Sequence, residues 1–292
     1  MSFRSLAEIL NKCKKEDKPF WRVVLEDDME ERLVTEETEE ESFEKMKQLY
    51  MAMKGADIAY EEGLSSTSGL VGGDGARMGR ALSEGKTLAG PFMGEVMSKA
   101  LKMGESNACM KKIVAAPTGG ACGVIPAVLL TYEEQFGAFL QQMIEAMYVA
   151  AGIGQVIAVR AFISGAAGGC QAEIGSASAM AAGALAYLNG GDGECITHAA
   201  AMSLKNLMGL ACDTVAGLVE IPCVKRNVGG AVVAISSADM AVAGIRSQIP
   251  PDEVIDAMRE VGESLPRTLR ETGEGGLAAT PRGIEIKNKL MS

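Results

Sequence analysis

Apolar residues recur at three- and four-residue steps along most of this chain, a period that predicts helices. The clearest run is Phe139, Leu140, Met143, Ile144, Met147, Tyr148 and Ala151. Phe3, Leu6, Ile9 and Leu10 predict a first helix, and Phe43, Met46, Leu49, Tyr50 and Met53 predict another. The latter is preceded by Thr38 and Glu41, which have the spacing of a capping box. Ala172–Leu188 and Ile196–Leu210 read as helices rich in small residues. Pro250, Pro251 and Asp252 form a helix start, with Val254, Ile255, Met258 and Val261 behind them. Two stretches are ambiguous. Trp21–Leu25 reads as a short strand or the edge of a turn. In Val228–Gln248, Gly229 and Gly230 weaken a helix and the valine content allows a strand. The acidic run Glu26–Glu41 reads as a solvated face.

Four Gly-rich segments interrupt this pattern. They are Ser65–Gly79 (SSTSGLVGGDGARMG), Ala115–Gly123, Ser164–Gly169 and Cys212–Cys223. Each is too rich in glycine for a regular element and reads as a loop. Pro126 then suits the first turn of a helix. Strands do not alternate with helices, and no fixed-period repeat is present. The expected fold is all-α: a compact helical domain whose Gly-rich loops break the helices. No linker divides it. Residues 1–60 read as a helical and acidic N-terminal segment, 61–283 as the core and 284–292 as a tail.

Composition sharpens this picture. Hydrophobic residues make up 48% but aromatics only 4%, against 35 glycines and 18 methionines. Such a core favours close-packed helices, because small side chains let backbones approach and methionine fills irregular gaps. The net charge of −10 and a pI of about 4.9 argue against a nucleic-acid partner, which needs a basic face. Ala146–Ile163 is the best membrane candidate, but it contains Gln155 and Arg160 and reads as a buried helix. No basic and apolar leader opens the sequence, so a cytoplasmic protein is expected. The seven cysteines are odd in number, which favours free thiols or metal ligands over a disulfide framework.

Cys170, Cys212 and Cys223 each stand at a boundary marked by glycine or proline. Thiolates are soft donors that ligate iron well. No C-x-x-C joins them, and buried free cysteines also serve as small hydrophobes. Ser65, Ser66, Thr67 and Ser68, with Gly69, Gly72 and Gly73, supply hydroxyl and amide donors for an anion. Thr118, Gly119 and Gly120 can do the same. Tight turns needing positive φ are the structural alternative. His198 is the single imidazole and is a weak catalytic candidate, since a lone histidine on a helix is more often structural. Lys225 and Arg226 either stabilise negative charge beside Cys223 or are solvated.

Longer words decide among these readings. GGCQAEIGSA around Cys170 and LACDTVAGLVEIPCVKRN around Cys212 and Cys223 closely resemble the cluster-binding segments of iron–sulfur L-serine dehydratases. So do APTGGACGVIP at Ala116–Pro126 and STSGLVGGD at Ser66–Asp74. The resemblance runs from about residue 60 to Gly283. It implies a 4Fe-4S cluster ligated by Cys170, Cys212 and Cys223, with Cys122 not a ligand and no pyridoxal phosphate. One iron would lack a protein ligand and act as a Lewis acid on the hydroxyl of L-serine. The amino acid would leave as pyruvate and ammonia. The substrate carboxylate would meet the loops of Ser65–Ser68 and of Thr118 and Gly119. The family's histidine-bearing segment does not occur in this sequence, so the resemblance implies a separate beta subunit that supplies the base. The sequence departs from the family at Thr214, where proline is usual, and it lacks the C-terminal cysteine of some single-chain members. An L-cysteine desulfidase of the same fold and an iron–sulfur redox or sensor protein are the rival readings.

Overall fold

The computed structural model describes residues 3–31 and 38–292. It is all-α: among the described residues there are thirteen α-helices and a single isolated β-bridge. In order these are α1 (Leu6–Glu16), α2 (Phe20–Glu31), α3 (Glu39–Ile58), α4 (Asp74–Ser83), α5 (Gly90–Ala108), α6 (Val124–Phe136) and α7 (Leu140–Arg160). There follow the single turn α8 (Gly165–Gly168), then α9 (Ser176–Leu188), α10 (Gly193–Leu207), α11 (Cys223–Val242), α12 (Pro251–Ser264) and α13 (Pro281–Met291).

The core is organised around α9. Every residue from Ser176 to Ala186 is buried, and α6, α7, α10 and α11 all pack on this helix. Its surface is almost entirely alanine, serine and glycine, so four neighbouring backbones can approach it closely. Two hydroxyls there are satisfied without water. Ser178 donates to the Gly230 carbonyl at 2.6 Å, and Ser203 donates to Ser178 at 2.7 Å. The helix α7 is long and apolar enough to cross a membrane by length and composition, yet it packs inside this bundle with 61% of its apolar window buried.

Local signals set several boundaries. Thr38 and Glu41 form the capping box expected of them, with the two reciprocal hydrogen bonds at 2.8 and 3.2 Å. The first helix is capped from far away in sequence: both carboxylate oxygens of Asp252 accept from the Leu6 and Ala7 amides, at 2.8 and 3.1 Å. That cap ties α1 to α12.

Two expectations are corrected and one open stretch is resolved. Trp21–Leu25 is neither strand nor turn but the first part of α2, because Val23, Val24 and Leu25 are buried and the helix packs on α7. Tertiary burial overrides the weak strand preference of valine. Val228–Gln248 is helical as far as Val242, and Gly230 is where α11 lies close to Ile174 and Val124. The acidic run is not all solvated, since Asp27 is buried in α2; the part of the run at 32–37 lies outside the described residues.

Two further elements begin elsewhere than the periodicity implies. The first Gly-rich loop ends at Gly73, where α4 begins. The buried carboxylate of Glu105 accepts from the Asp74 and Gly75 amides at 2.6 and 3.1 Å and from the Tyr60 hydroxyl at 2.6 Å. A negative charge at a helix N-terminus satisfies free amides and meets the helix dipole. The start of α9 is preceded by a π-turn, Gln171–Gly175, a rare form that often marks functional sites.

The close packing gives a paired test. A Cβ on Gly123, at the α5–α6 junction, would stand 2.6 Å from the Ala100 carbonyl oxygen. Gly123→Ala is expected to destabilise the fold by about 1–3 kcal/mol. Gly229→Ala meets nothing within 4 Å on the exposed side of α11 and is expected to stabilise by about 0.5–1 kcal/mol. Urea unfolding midpoints of the two variants check both signs.

Candidate active site

The three cysteines singled out in the sequence arrive from three elements. Cys170 leads into the π-turn, Cys212 lies in an extended segment and Cys223 opens α11. All three are buried. The backbone of Cys212 is pinned by a two-residue bridge: its N–H donates to Leu269 O, and Glu271 N–H donates to its carbonyl, both at 2.8 Å. Gln171 fixes the start of the π-turn, donating to the Gly168 and Met258 carbonyls and accepting from the Gly209 amide at 2.8 Å.

The three thiols are near enough to act on one another electrostatically. Burial pushes Cys170 up to about 11, and the adjacent Arg226 charge partly offsets it. Burial, and then the neighbouring Cys170, push Cys223 up to about 12. Cys212 is raised for the same reasons, with Cys170, Glu173, Glu271 and Cys223 all adding to its burial. Cys223 sits at a helix N-terminus, a position that favours a thiolate, yet burial wins. Among the described residues no three ligand-type side chains converge as they do around one metal ion.

Arg226 and Lys225 behave differently. Lys225 is exposed and pairs with Asp74 at 2.9 Å. Arg226 turns inward, donating to the Ala211 carbonyl at 2.6 Å and to Asp213 at 2.8 Å beside Cys170. The other oxygen of Asp213 accepts from the Leu277 amide at 2.9 Å, which holds the C-terminal segment against this loop. Thr214, where the family has proline, is buried and its hydroxyl has no partner.

The second Gly-rich loop is clamped onto the same pocket. Asn227, one turn after Cys223, donates to Gly120 O and accepts from the Gly123 amide, each at 2.8 Å, while Asn107 donates to Gly119 O at 3.0 Å. The hydroxyl of Thr118 donates to Glu173 at 2.8 Å. Glu173 is the functional candidate that reading the sequence missed. It is the only charged residue between Arg160 and Asp192, and a lone carboxylate in so long a small-residue stretch was a usable signal. Burial raises its pKa, with the Thr118 hydrogen bond opposing, Glu271 adding and the Gly165 amide opposing.

The first loop is closed in a different way. Ser66 and Ser68 both donate to the carboxylate of Glu220, three residues before Cys223. Ser65 and Thr67 are exposed. Gly72 makes the fold of this loop possible: at φ 153 a Cβ would stand 2.0 Å from the Leu64 carbonyl oxygen. His198 is not brought to the thiols. Its Nδ1 accepts from the Ser247 amide at 3.1 Å, and its charged neighbours are Glu194, Arg246 and Lys205. Cys122 also turns elsewhere, its thiol meeting the Met103 carbonyl.

Comparison with known proteins places this geometry. The family model described as Serine dehydratase alpha chain matches residues 15–278. The chain belongs to that family. It is 46% identical over 289 residues to the "Probable L-serine dehydratase, alpha chain" of Bacillus subtilis, covering 99% of this chain and 95% of the relative. It is 38% identical to the "L-serine dehydratase, alpha chain" of Peptoniphilus asaccharolyticus, over 97% of each. An "L-serine dehydratase" of Streptomyces coelicolor is 44% identical over 61% of this chain, which spans only 40% of that relative.

The buried Arg226–Asp213 pair separates from the surface pair in a mutational test. Asp213→Ala leaves the half-buried Arg226 guanidinium without its counter-charge and the Leu277 amide without its acceptor, and is expected to cost about 1–3 kcal/mol. Lys225→Ala removes an exposed pair and is expected to leave the urea midpoint in place.

Proposed function

We propose that this chain is the alpha subunit of an L-serine dehydratase that carries a 4Fe-4S cluster on Cys170, Cys212 and Cys223 and converts L-serine to pyruvate and ammonia. The observation that supports this most is three buried, mutually interacting thiols in one pocket of a chain from the serine dehydratase alpha chain family. The donor set fits the cluster. Thiolates spread over separate irons need not converge as they do around one ion. Glycine is also what the thiol requires at its wall: a Cβ on Gly165 would stand 2.8 Å from Cys212 Sγ and crowd it. Held by three thiolates, the cluster would keep one iron free to act as a Lewis acid on the departing hydroxyl.

The protein's own groups hold the ligand set and the substrate. Arg226 places positive charge beside Cys170, which favours its thiolate form. Asn227 and Asn107 fix the loop of Thr118 and Gly119 over the pocket. The four-residue loop Ser65–Ser68 lies next to it through Glu220. For Ser66 and Ser68 to receive the substrate carboxylate they must release Glu220, so that reading carries a loop movement with it. The α-proton needs a base, and His198 lies elsewhere. The base therefore comes from a beta subunit, in keeping with the alpha-chain names of the full-length relatives. The compartment is the reducing cytoplasm, where free thiols persist.

Two measurements test this reading. Anaerobically purified protein is expected to hold about four iron per chain. Cys170→Ser, Cys212→Ser and Cys223→Ser should each lose it, while Cys13→Ser and Cys109→Ser should keep it. A normal iron content in any of the first three would overturn the ligand set.

The second measurement is turnover with and without the beta chain. The isolated chain should be nearly inactive and the pair active. L-threonine, with one more methyl, should be poorer by roughly tenfold or more. Preference for L-cysteine would move the substrate to the desulfidase reading, and turnover requiring pyridoxal phosphate would end the proposal.

A further inference from the structure

We infer that Glu173 receives the α-ammonium group of the amino-acid substrate. The inference rests on the proposed dehydratase reading and adds a residue to it. A carboxylate taken out of water is costly unless a cation or several donors meet it. Glu173 is buried at 9% exposure, and no lysine or arginine is among the groups that act on it. Its polar neighbours are the Thr118 hydroxyl and the Gly165 amide, and Glu271 adds a second negative charge. The position is built for a cation that the described protein does not itself supply.

The two carboxylate oxygens are differently placed. Oε1 accepts from Thr118 at 2.8 Å. Oε2 stands 2.8 Å from the point where a Cβ on Gly165 would lie, and Cys212 Sγ stands at that same distance. The oxygen and the sulfur are therefore within twice that length of each other, so a group held at Oε2 lies beside the thiols. Serine carries a carboxylate, a hydroxyl and an ammonium group on adjacent carbons. With its hydroxyl directed at the thiol pocket, its ammonium group is the part that fits beside Oε2, and two nearby glutamates repel its carboxylate from that point. Ammonium capture would hold Cα in one orientation, which decides which face of the α-proton is presented.

The test uses the assembled alpha–beta holoenzyme and two unreactive ligands, L-alanine and propanoate, which differ only in the ammonium group. Anaerobic calorimetry should show wild type preferring L-alanine. Glu173→Gln should weaken L-alanine at least tenfold and leave propanoate unchanged, with iron content and absorption spectrum as in wild type; Glu173→Asp should restore part of the preference. Equal weakening of both ligands, or an unaltered preference, overturns the inference. So does a spectrum changed by Glu173→Gln before ligand is added, which would make Glu173 an iron ligand. A wild type that lacks iron but keeps a Glu173-dependent preference would defeat the cluster reading and uphold this one.

Discussion

The close approach of backbones around α9 is the constraint on which the rest of the molecule depends. Its buried face is mostly alanine, serine and glycine, with Met180 and Leu185, so α6, α7, α10 and α11 can approach it closely, Ile153 of α7 seating on Gly183 and Met180 on Gly154. The site hangs from this axis. The π-turn that extends α9 carries Cys170 at its start and Glu173 within it. Gly230 of α11 lies against Ile174 and Val124, which fixes where α11, and hence Cys223, meets that turn. Enlarging any of these contacts would move a thiol, because a packed interior transmits displacement rather than absorbing it.

The site that results is buried and rich in groups that ionise to anions. Three thiols and Glu173 are buried beside one another, the exposed Glu271 acts on them from the rim, and Arg226 is the cation beside Cys170. At Cys170 and Cys223 burial raises the thiol more than Arg226 lowers it. Such an arrangement waits for positive charge. In the proposed function the iron of a cluster and an ammonium group supply it at two adjacent points, and ligand binding displaces the thiol protons.

The periodic helices and the capping box at Thr38 were legible because both are local. The three cysteines were singled out as candidates by the words that surround them, and the structure buries all three. What escaped the sequence is what depends on distant partners. Trp21–Leu25 is helical because α7 covers it. The loop at Ser65–Gly79 is cut short because Glu105, on another helix, caps α4. Val228–Val242 is helical because α11 packs on α5, α9 and α10, with Gly230 at the close approach to Ile174 and Val124. Glu173 escaped because its lone charge in a stretch of small residues was passed over; its partner Thr118 comes from a distant loop, and Gly165 from the single turn α8 just before it.

The same dependence on distant partners governs the first loop. Its serine hydroxyls are anion donors, as their sequence suggests, but in this structure the anion they bind is the chain's own Glu220. Glu220 also belongs to the segment that delivers Cys223, so the loop and the thiol site are mechanically joined. A substrate carboxylate and Glu220 compete for one set of donors, and a buried carboxylate that loses them needs water or a new partner. Loop opening is thus favourable only when something else satisfies Glu220 or when the incoming anion gains more than Glu220 loses. Either condition couples what happens at Ser66 to the position of Cys223, three residues beyond Glu220.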